Sequence, residues 1–235
     1  MSYNVLLLRP YGAIDNNYLF PDSDASSRSI RPEPGDGSNV GSYKLDCLEA
    51  HRRVNGKWTS LFELEDVYMV VTDSRVGFAV PKVHRGSTWI GGGFAIAMMA
   101  GSALRACSKN KKGLIAGHLR QEWIASVVTA ERDLNLRVRT RPCVSLLVQD
   151  GADPIWVHAA FSRGADVSGV ANEITRRILA NRLQSTVREL DDDERRGVVD
   201  LLEKPQFGGV GKQQVNFPAT MKVHIPDTGV LQRNS

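Results

Sequence analysis

The feature that most limits the possible fold is a series of short strand-like segments between Tyr43 and Phe161. Asn55-Gly56 separates the first two predicted strands, 43–54 and 57–64, and this dipeptide is the strongest short signal for a tight hairpin. Asp, Ser and Gly between the later apolar runs predict further turns, and alternation of apolar and polar residues predicts strands with one wet face. The remaining strands are predicted at 67–71, 75–80, 113–117, 123–130, 134–139, 144–148 and 155–161.

One amphipathic helix is predicted after the last of these strands, over Val167–Gln184. Val170, Ile174 and Ile178 recur every four residues, which places them on one face of a helix. A helix that follows a run of hairpins must pack on the sheet or plug one open end of a barrel. The basic residues that are predicted to face solvent on this helix are Arg176, Arg177 and Arg182.

Two motifs precede this helix in an order that is shared with a known domain family. The first is the hairpin Tyr68–Phe78, in which Thr72-Asp73-Ser74-Arg75 joins two apolar strands. The second is Gly117–Val127, where a strand leads into an aromatic residue followed by Ile and Val. With the helix, they resemble the bacterial pleckstrin-homology-like (PH-like) domains and their GRAM-like members. The resemblance covers 43–184 and implies an α+β, mainly β fold: a partly open antiparallel barrel or sandwich capped by one C-terminal amphipathic helix.

Composition divides the chain into three parts. Residues 1–42 are dense in turn formers and are predicted to be a loop-rich extension. Residues 43–185 are the predicted PH-like domain, interrupted by a Gly/Ala-rich helical insertion at 86–112. Residues 186–235 are predicted to contain a short acidic helix, with net charge −3 over 188–204, and an extended tail with a strand-like patch at 221–225.

The insertion is the most informative departure from a plain antiparallel domain. Gly86–Leu104 contains no charged residue, but it is short and rich in Gly and Ala for a bilayer-spanning helix. Seven basic residues and one acidic residue lie between Lys82 and Glu122, a local net charge of +6. An apolar helix beside basic residues is typical of a segment that lies on an anionic membrane surface.

The predicted function is therefore a non-enzymatic binding module that engages a protein partner or an anionic membrane surface through this insertion. Its predicted apolar anchors are Phe94, Met98 and Leu104. Its predicted basic contacts are Arg105, Lys109, Lys111 and Lys112, joined from the flanking strands by Lys82, Arg85 and Arg120.

The same insertion also allows a structural alternative. Gly93, Ala97 and Gly101 fall four residues apart, which gives a helix face that another surface can approach closely. This face could be buried on the domain's own sheet or form a homo-oligomer interface.

The sequence offers little recognisable catalytic or cofactor chemistry. The three cysteines form no CxxC pair and are predicted to be buried thiols, and the five histidines show no metal-binding spacing. The Gly-rich segment 208–212 fails the phosphate-loop pattern because Gln213 follows its Lys. No catalytic residue, metal or cofactor is assigned. An enzyme without a recognisable motif is the less favoured alternative, and a deep pocket lined by His118, His158 or Asp73 would favour it.

Charge and targeting signals complete the predictions. The formal net charge is only +4, and aromatic residues make up 7% of the chain, so nucleic acid is not a predicted partner. The start of the chain lacks the long apolar core and cleavage site of a signal peptide. The expected location is the cytoplasm, either free or peripheral at the membrane.

Overall fold

The structure is a computed structural model that describes most of the predicted domain. The described residues are 2–4, 9–10, 23–24, 29–30, 32–38, 40–54, 56–80, 114–134, 137–148, 154–184, 189–208, 211–218, 220 and 223–224. The predicted insertion at 86–112 lies outside them.

The described strands form one nine-stranded sheet and two small two-stranded sheets. The large sheet has the order β1-β8-β7-β6-β5-β11-β10-β9-β12 and is antiparallel except where β1 pairs with β8. The small sheets pair β2 with β13 and β3 with β4. The strands are β1 Ser2–Asn4, β2 Arg9–Pro10, β3 Ser23–Asp24, β4 Ser29–Ile30, β5 Gly41–Val54, β6 Lys57–Val71, β7 Arg75–Val80, β8 Leu114–Arg120, β9 Ser126–Leu134, β10 Arg137–Leu147, β11 Ile155–Ala160, β12 Gln213–Asn216 and β13 Val223–His224.

The large sheet consists of two meanders joined by one strand pair. Strands β5 to β8 follow one another in space, as do β9 to β11, and β11 pairs with β5 to connect the two groups. A 3₁₀ turn at Gln121–Trp123 carries the chain from β8 to β9, which are not neighbours in the sheet. The sheet is therefore open, and the prediction of a mainly antiparallel α+β fold is confirmed.

The Asn55-Gly56 hairpin is confirmed, since β5 ends at Val54 and β6 begins at Lys57. Gly56 has a φ of 79°, a conformation that glycine adopts without steric penalty. The prediction of separate strands at 57–64 and 67–71 is wrong, because β6 runs unbroken through both.

The long strands β5 and β6 bend instead of ending. Leu45 pairs with Val67, Leu48 pairs with Leu64, and all four side chains are buried in the same core. Residues three apart on a regular strand face opposite sides, so the side-chain alternation shifts between the two pairs. Asp66 lies at this shift with a φ of 54°, which Asp tolerates better than most residues.

Two further strand predictions needed correction. The predicted strand at 123–130 begins only at Ser126, because Trp123 belongs to the 3₁₀ turn. The alternating segment at 134–139 is not one strand, since β9 ends at Leu134, β10 begins at Arg137 and these two residues pair. Alternation of apolar and polar residues continues across a tight connection, so the pattern alone does not reveal the turn.

The two helices predicted after the last strand of the meanders are present, while the predicted helical insertion lies outside the described residues. Helix α1, Val167–Gln184, has the predicted bounds, and helix α2, Asp192–Leu202, lies within the predicted acidic segment. Ile174, Ile178 and Leu179 of α1 are fully buried against the sheet. Each such side chain contributes roughly 1.5–3 kcal/mol when it is removed from water.

Two arginines of α1 are buried, although they were predicted to face solvent. The Arg182 guanidinium donates to the carbonyls of Gln121, Glu122 and Ile124 at 3.0–3.3 Å. Arg177 lies 2.6 Å from both Asp73 and Glu173. Arg182 reaches carbonyls of the 3₁₀ turn and Arg177 reaches Asp73 in the turn between β6 and β7, so both arginines add to the attachment of α1 to the sheet.

The C-terminal segment also packs on the domain. Val198, Phe207, Val215 and Phe217 join the main core, and β12 adds to the edge of β9. The Asp191 carboxylate accepts a hydrogen bond from the Glu194 amide, and the Glu194 carboxylate accepts one from the Asp191 amide. The two bonds form a capping box at the start of α2. β12 has four residues and was not predicted from the sequence.

Candidate functional site

The face of the large sheet that is turned away from α1, called the outer face below, carries the candidate site. On β11, Ile155, Val157 and Ala159 enter the main core, so Trp156 and His158 point to the outer face. Between them, β5, β6, β9, β10 and β11 place polar and titratable side chains there, where a sheet of this kind often carries only solvated residues. Several of these side chains are buried.

A groove of about 660 Å³ lies on this face. Its floor contains His51, Ser145 and His158. Trp58 and Trp156 supply aromatic surface, and Trp58 is 52% exposed. The charged lining residues are Glu131, Arg132, Asp133 and Lys212, two of each sign. Such a lining can hold a planar or amphipathic ligand by stacking and by hydrogen bonds.

The floor of the groove contains a hydrogen-bonded histidine and serine. His158 Nδ1 and Ser145 Oγ are 2.8 Å apart, and the Trp156 ring is stacked on the imidazole at 6.0 Å. Burial lowers the pKa of His158 to about 3, and Arg132 and His51 push it in the same direction. The imidazole is therefore neutral at pH 7 and too weak a base to activate the buried Ser145 hydroxyl.

Beside the groove, three side chains bring potential metal ligands together. The ligand atoms of Cys47, Glu49 and Glu63 all lie within 4.8 Å of one another. Cys47 Sγ is 4.0 Å from one carboxylate oxygen of Glu49, and His51 Nε2 is 3.2 Å from the other. Burial, together with the neighbouring carboxylates, raises the pKa of the Cys47 thiol far above its usual range. Cys47, Glu49 and Glu63 are called the outer-face cluster below.

A second buried polar group lies at the end of the β7–β8 strand pair where Arg75 pairs with Arg120. Arg75 is fully buried, and its Nη2 is 2.6 Å from Asp36 Oδ2. Thr72 and Ser74 each donate a hydroxyl hydrogen bond of 2.6 Å to Asp36 Oδ1. Burial opposes ionisation of Asp36, but the hydrogen bonds from Arg75, Ser74 and Thr72 outweigh it and lower its pKa to about 2. Asp36, Thr72, Ser74 and Arg75 are called the Asp36 clamp.

The surroundings of the clamp extend it across the sheet end. The Glu33 carboxylate forms ion pairs with Arg75 at 3.3 Å and with Arg120 at 2.8 Å. His118 Nδ1 lies 3.3 Å from Arg75 Nη1, and its ring meets Trp123 edge-on at 6.0 Å. These contacts fasten residues 32–38, from the predicted N-terminal extension, to the domain.

Of the predicted binding residues, only Arg120 is among the described ones. Arg75 pairs with Arg120, whereas Val80 pairs with Ile115, so Arg120 lies at the end of the hairpin remote from the insertion. The others lie outside the described residues: Lys82, Arg85, Gly93, Phe94, Ala97, Met98, Gly101, Leu104, Arg105, Lys109, Lys111 and Lys112.

Sequence reasoning did not identify the outer-face residues as a group. The signal was the alternation Cys47-Leu48-Glu49-Ala50-His51, which puts three potential ligands on one side of a strand. Trp123 is buried in the main core, whereas Trp156 lines the groove together with Arg132. Cys47 and Cys143 are buried free thiols as predicted, while Cys107 lies outside the described residues.

Comparison of the chain with protein-family models, with curated proteins and with solved structures finds no match. Within the described ranges, neither helix combines the length and the apolar character that crossing a bilayer requires. A function for this chain must therefore be inferred from the sheet topology, the groove and the buried polar groups.

Proposed function

We propose that this chain is a non-enzymatic binding module with a PH-like core. The observation that carries the proposal is the strand order: a four-strand meander and a three-strand meander joined through β5 and β11, followed by a helix against the core. A partly open antiparallel barrel with a C-terminal helix has this order. The added strands β1 and β12, which lie at the two ends of the sheet, are departures from the plain arrangement.

The proposed contact with the partner is the insertion between β7 and β8. Val80 and Ile115 are paired, so the chain leaves the sheet and returns to it at neighbouring positions. The Asp36 clamp fixes the opposite end of the same hairpin. An insertion attached in this way can be presented to a protein or an anionic membrane without disturbing the core.

The outer-face groove supports a binding role over a catalytic one. His158 lines the groove, the condition set above for reconsidering an enzyme. With its pKa lowered to about 3, this imidazole is a poor base for activating Ser145, which favours a binding role for the pair. A neutral polar floor between aromatic side chains is suited to holding a ligand.

The proposal is tested by charge reversal of Arg105, Lys109, Lys111 and Lys112 to Glu. Each basic residue near an anionic surface contributes about 1 kcal/mol, so binding to vesicles that contain phosphatidylserine should fall by roughly a thousandfold. The control reverses four exposed basic residues elsewhere, Arg53, Lys57, Arg163 and Lys204, and should bind as the unmodified chain does. Equal sedimentation of both variants with the vesicles would contradict the membrane contact.

Self-association through Gly93, Ala97 and Gly101 remains the alternative, motivated by their four-residue spacing. Light scattering distinguishes it: a dimer that becomes a monomer with Gly101→Leu would support an assembly face. A monomeric unmodified chain would refute it.

A further inference from the structure

We propose that Cys47, Glu49 and Glu63 of the outer-face cluster form a binding site for Zn²⁺. This site is separate from the insertion and does not depend on the proposed membrane contact.

Strand geometry fixes the three side chains on one surface. Cys47 and Glu49 are two residues apart on β5, which directs both to the outer face. Glu63 on β6 is the direct partner of Glu49 in the antiparallel register. The ligands therefore come from two paired strands, a scaffold more rigid than a loop.

The distances are close to those of a zinc site. Zinc ligands lie about 2.0–2.3 Å from the metal, so two ligands of a tetrahedral site are roughly 3.5 Å apart. The ligand atoms of the cluster lie within 4.8 Å of one another, and Cys47 Sγ is 4.0 Å from Glu49. Small side-chain rotations close the remaining gap and leave the paired backbone in place.

The chemistry of the donors selects the metal. Zn²⁺ must displace the proton of the Cys47 thiol, which is released to solvent, because the ligand to the metal is the thiolate. A thiolate favours Zn²⁺ over the hard cations Ca²⁺ and Mg²⁺, and Cys with carboxylate ligands is within the known zinc donor set. Two carboxylates face each other directly across the strands, an arrangement that is destabilising for like charges. A divalent cation bound between them converts this repulsion into attraction.

Burial and a neighbouring histidine complete the site. Cys47 is 5% exposed and Glu49 is 3% exposed, so a bound ion would be largely shielded from competing solvent. His51 Nε2 lies 3.2 Å from Glu49 Oε2, whereas Cys47 Sγ approaches the other carboxylate oxygen, Oε1. Hydrogen bonds of this kind orient metal ligands, and their loss typically weakens binding by 10- to 100-fold. We assign His51 this positioning role.

Co²⁺ is the spectroscopic probe for the test, since it occupies tetrahedral zinc sites and shows a thiolate charge-transfer band. Full-length protein is stripped with a chelator and titrated with CoCl₂, and ZnCl₂ then displaces the cobalt. We expect one equivalent of Co²⁺, a thiolate band, and its loss on addition of Zn²⁺. Cys47→Ser should abolish the band, and Glu63→Gln should weaken Zn²⁺ binding by at least tenfold.

Cys143→Ser is the matched control, because Cys143 is a second buried thiol on the same face and donates to the Arg141 carbonyl at 3.4 Å. It should keep the band and the Zn²⁺ affinity. Circular dichroism and thermal unfolding of each metal-free variant verify folding. His51→Ala should keep the thiolate band but bind Zn²⁺ about tenfold more weakly. Sub-stoichiometric binding by the unmodified chain, or an unchanged band in folded Cys47→Ser, would overturn the site. If Cys47→Ser does not fold, Glu63→Gln decides: equal Zn²⁺ affinity to the unmodified chain overturns the proposal.

Discussion

The Asp36 clamp and the outer-face cluster both bury carboxylates on the same sheet, yet they combine opposite kinds of chemistry. In the clamp, Asp36 meets a fully buried guanidinium and two hydroxyl donors, so opposite charges and donors satisfy one carboxylate. In the cluster, a thiol and two carboxylates share a small volume. A buried carboxylate therefore does not by itself indicate a function. The charges of the neighbouring groups determine what it can do.

The two groups also differ in what they connect. The clamp joins Asp36 to Arg75, two residues that are 39 positions apart in sequence, and so fastens the N-terminal segment to a hairpin. The residues of the outer-face cluster lie on β5 and β6, which already share a long ladder of backbone hydrogen bonds. We infer that the clamp is needed for the fold, whereas the cluster is available to a ligand.

Asp36→Asn should show the largest effect, because it leaves the buried Arg75 without its main carboxylate. Breaking a buried ion pair on one side typically costs about 3–5 kcal/mol, and we expect the lower end because Glu33 still contacts Arg75 at 3.3 Å. Urea unfolding measures the loss of stability. Asp46→Asn is the control: its pair with Arg141 is partly exposed, and such pairs contribute about 0–1 kcal/mol. Equal losses in the two variants would remove the special role of the clamp.

The clamp should also make stability depend on acidic pH. The pKa of Asp36 is lowered from 3.8 to about 2 in the folded chain, so the unfolded state binds the proton more readily between these values. The stabilisation is complete above pH 4 and is lost as the pH falls towards 2. Urea midpoints of the unmodified chain and Asp36→Asn should therefore converge over this range. Curves that remain parallel would show that Asp36 does not carry the effect.

The features that could be predicted from the sequence are those that depend on neighbouring residues. Local signals were sufficient for the Asn55-Gly56 hairpin, for β7 and for the bounds of α1, since each depends on residues close together in the chain. The burial of Arg75, Arg177 and Arg182 was not predictable, because each arginine has at least one partner distant in sequence, although Arg177 also pairs with Glu173 four residues before it. An arginine on a helix or strand is solvated by default.

The candidate site was hidden for a related reason. The alternation at Cys47, Glu49 and His51 is visible in the sequence, but Glu63 joins them only through the register of β5 and β6. The expected unbroken alternation also fails at Asp66, where the strands bend. Residue types alone therefore did not indicate a metal site, and strand register was required.

Glu63→Gln in metal-free protein tests whether the outer-face cluster contributes to stability as the clamp does. The substitution removes one of two carboxylates that face each other across the strands, so relief of repulsion should offset lost contacts. We expect unfolding stability to change by less than about 1 kcal/mol, well below the effect of Asp36→Asn. The urea midpoint without metal is the measurement. A loss as large as that of Asp36→Asn would mean that the cluster is structural, as the clamp is.

Trp58→Phe should have the smallest effect on stability and a clear effect on how readily acrylamide quenches the tryptophan fluorescence. Trp58 lies at the groove with about half of its surface exposed, whereas Trp123 is 1% exposed in the core. Surface substitutions of this kind usually change stability by less than about 0.5 kcal/mol. Acrylamide should quench the fluorescence of the unmodified chain more readily than that of Trp58→Phe, because the variant lacks this exposed indole. Unchanged quenching would mean that the outer face is covered in solution, and the groove could then not receive a ligand without a rearrangement.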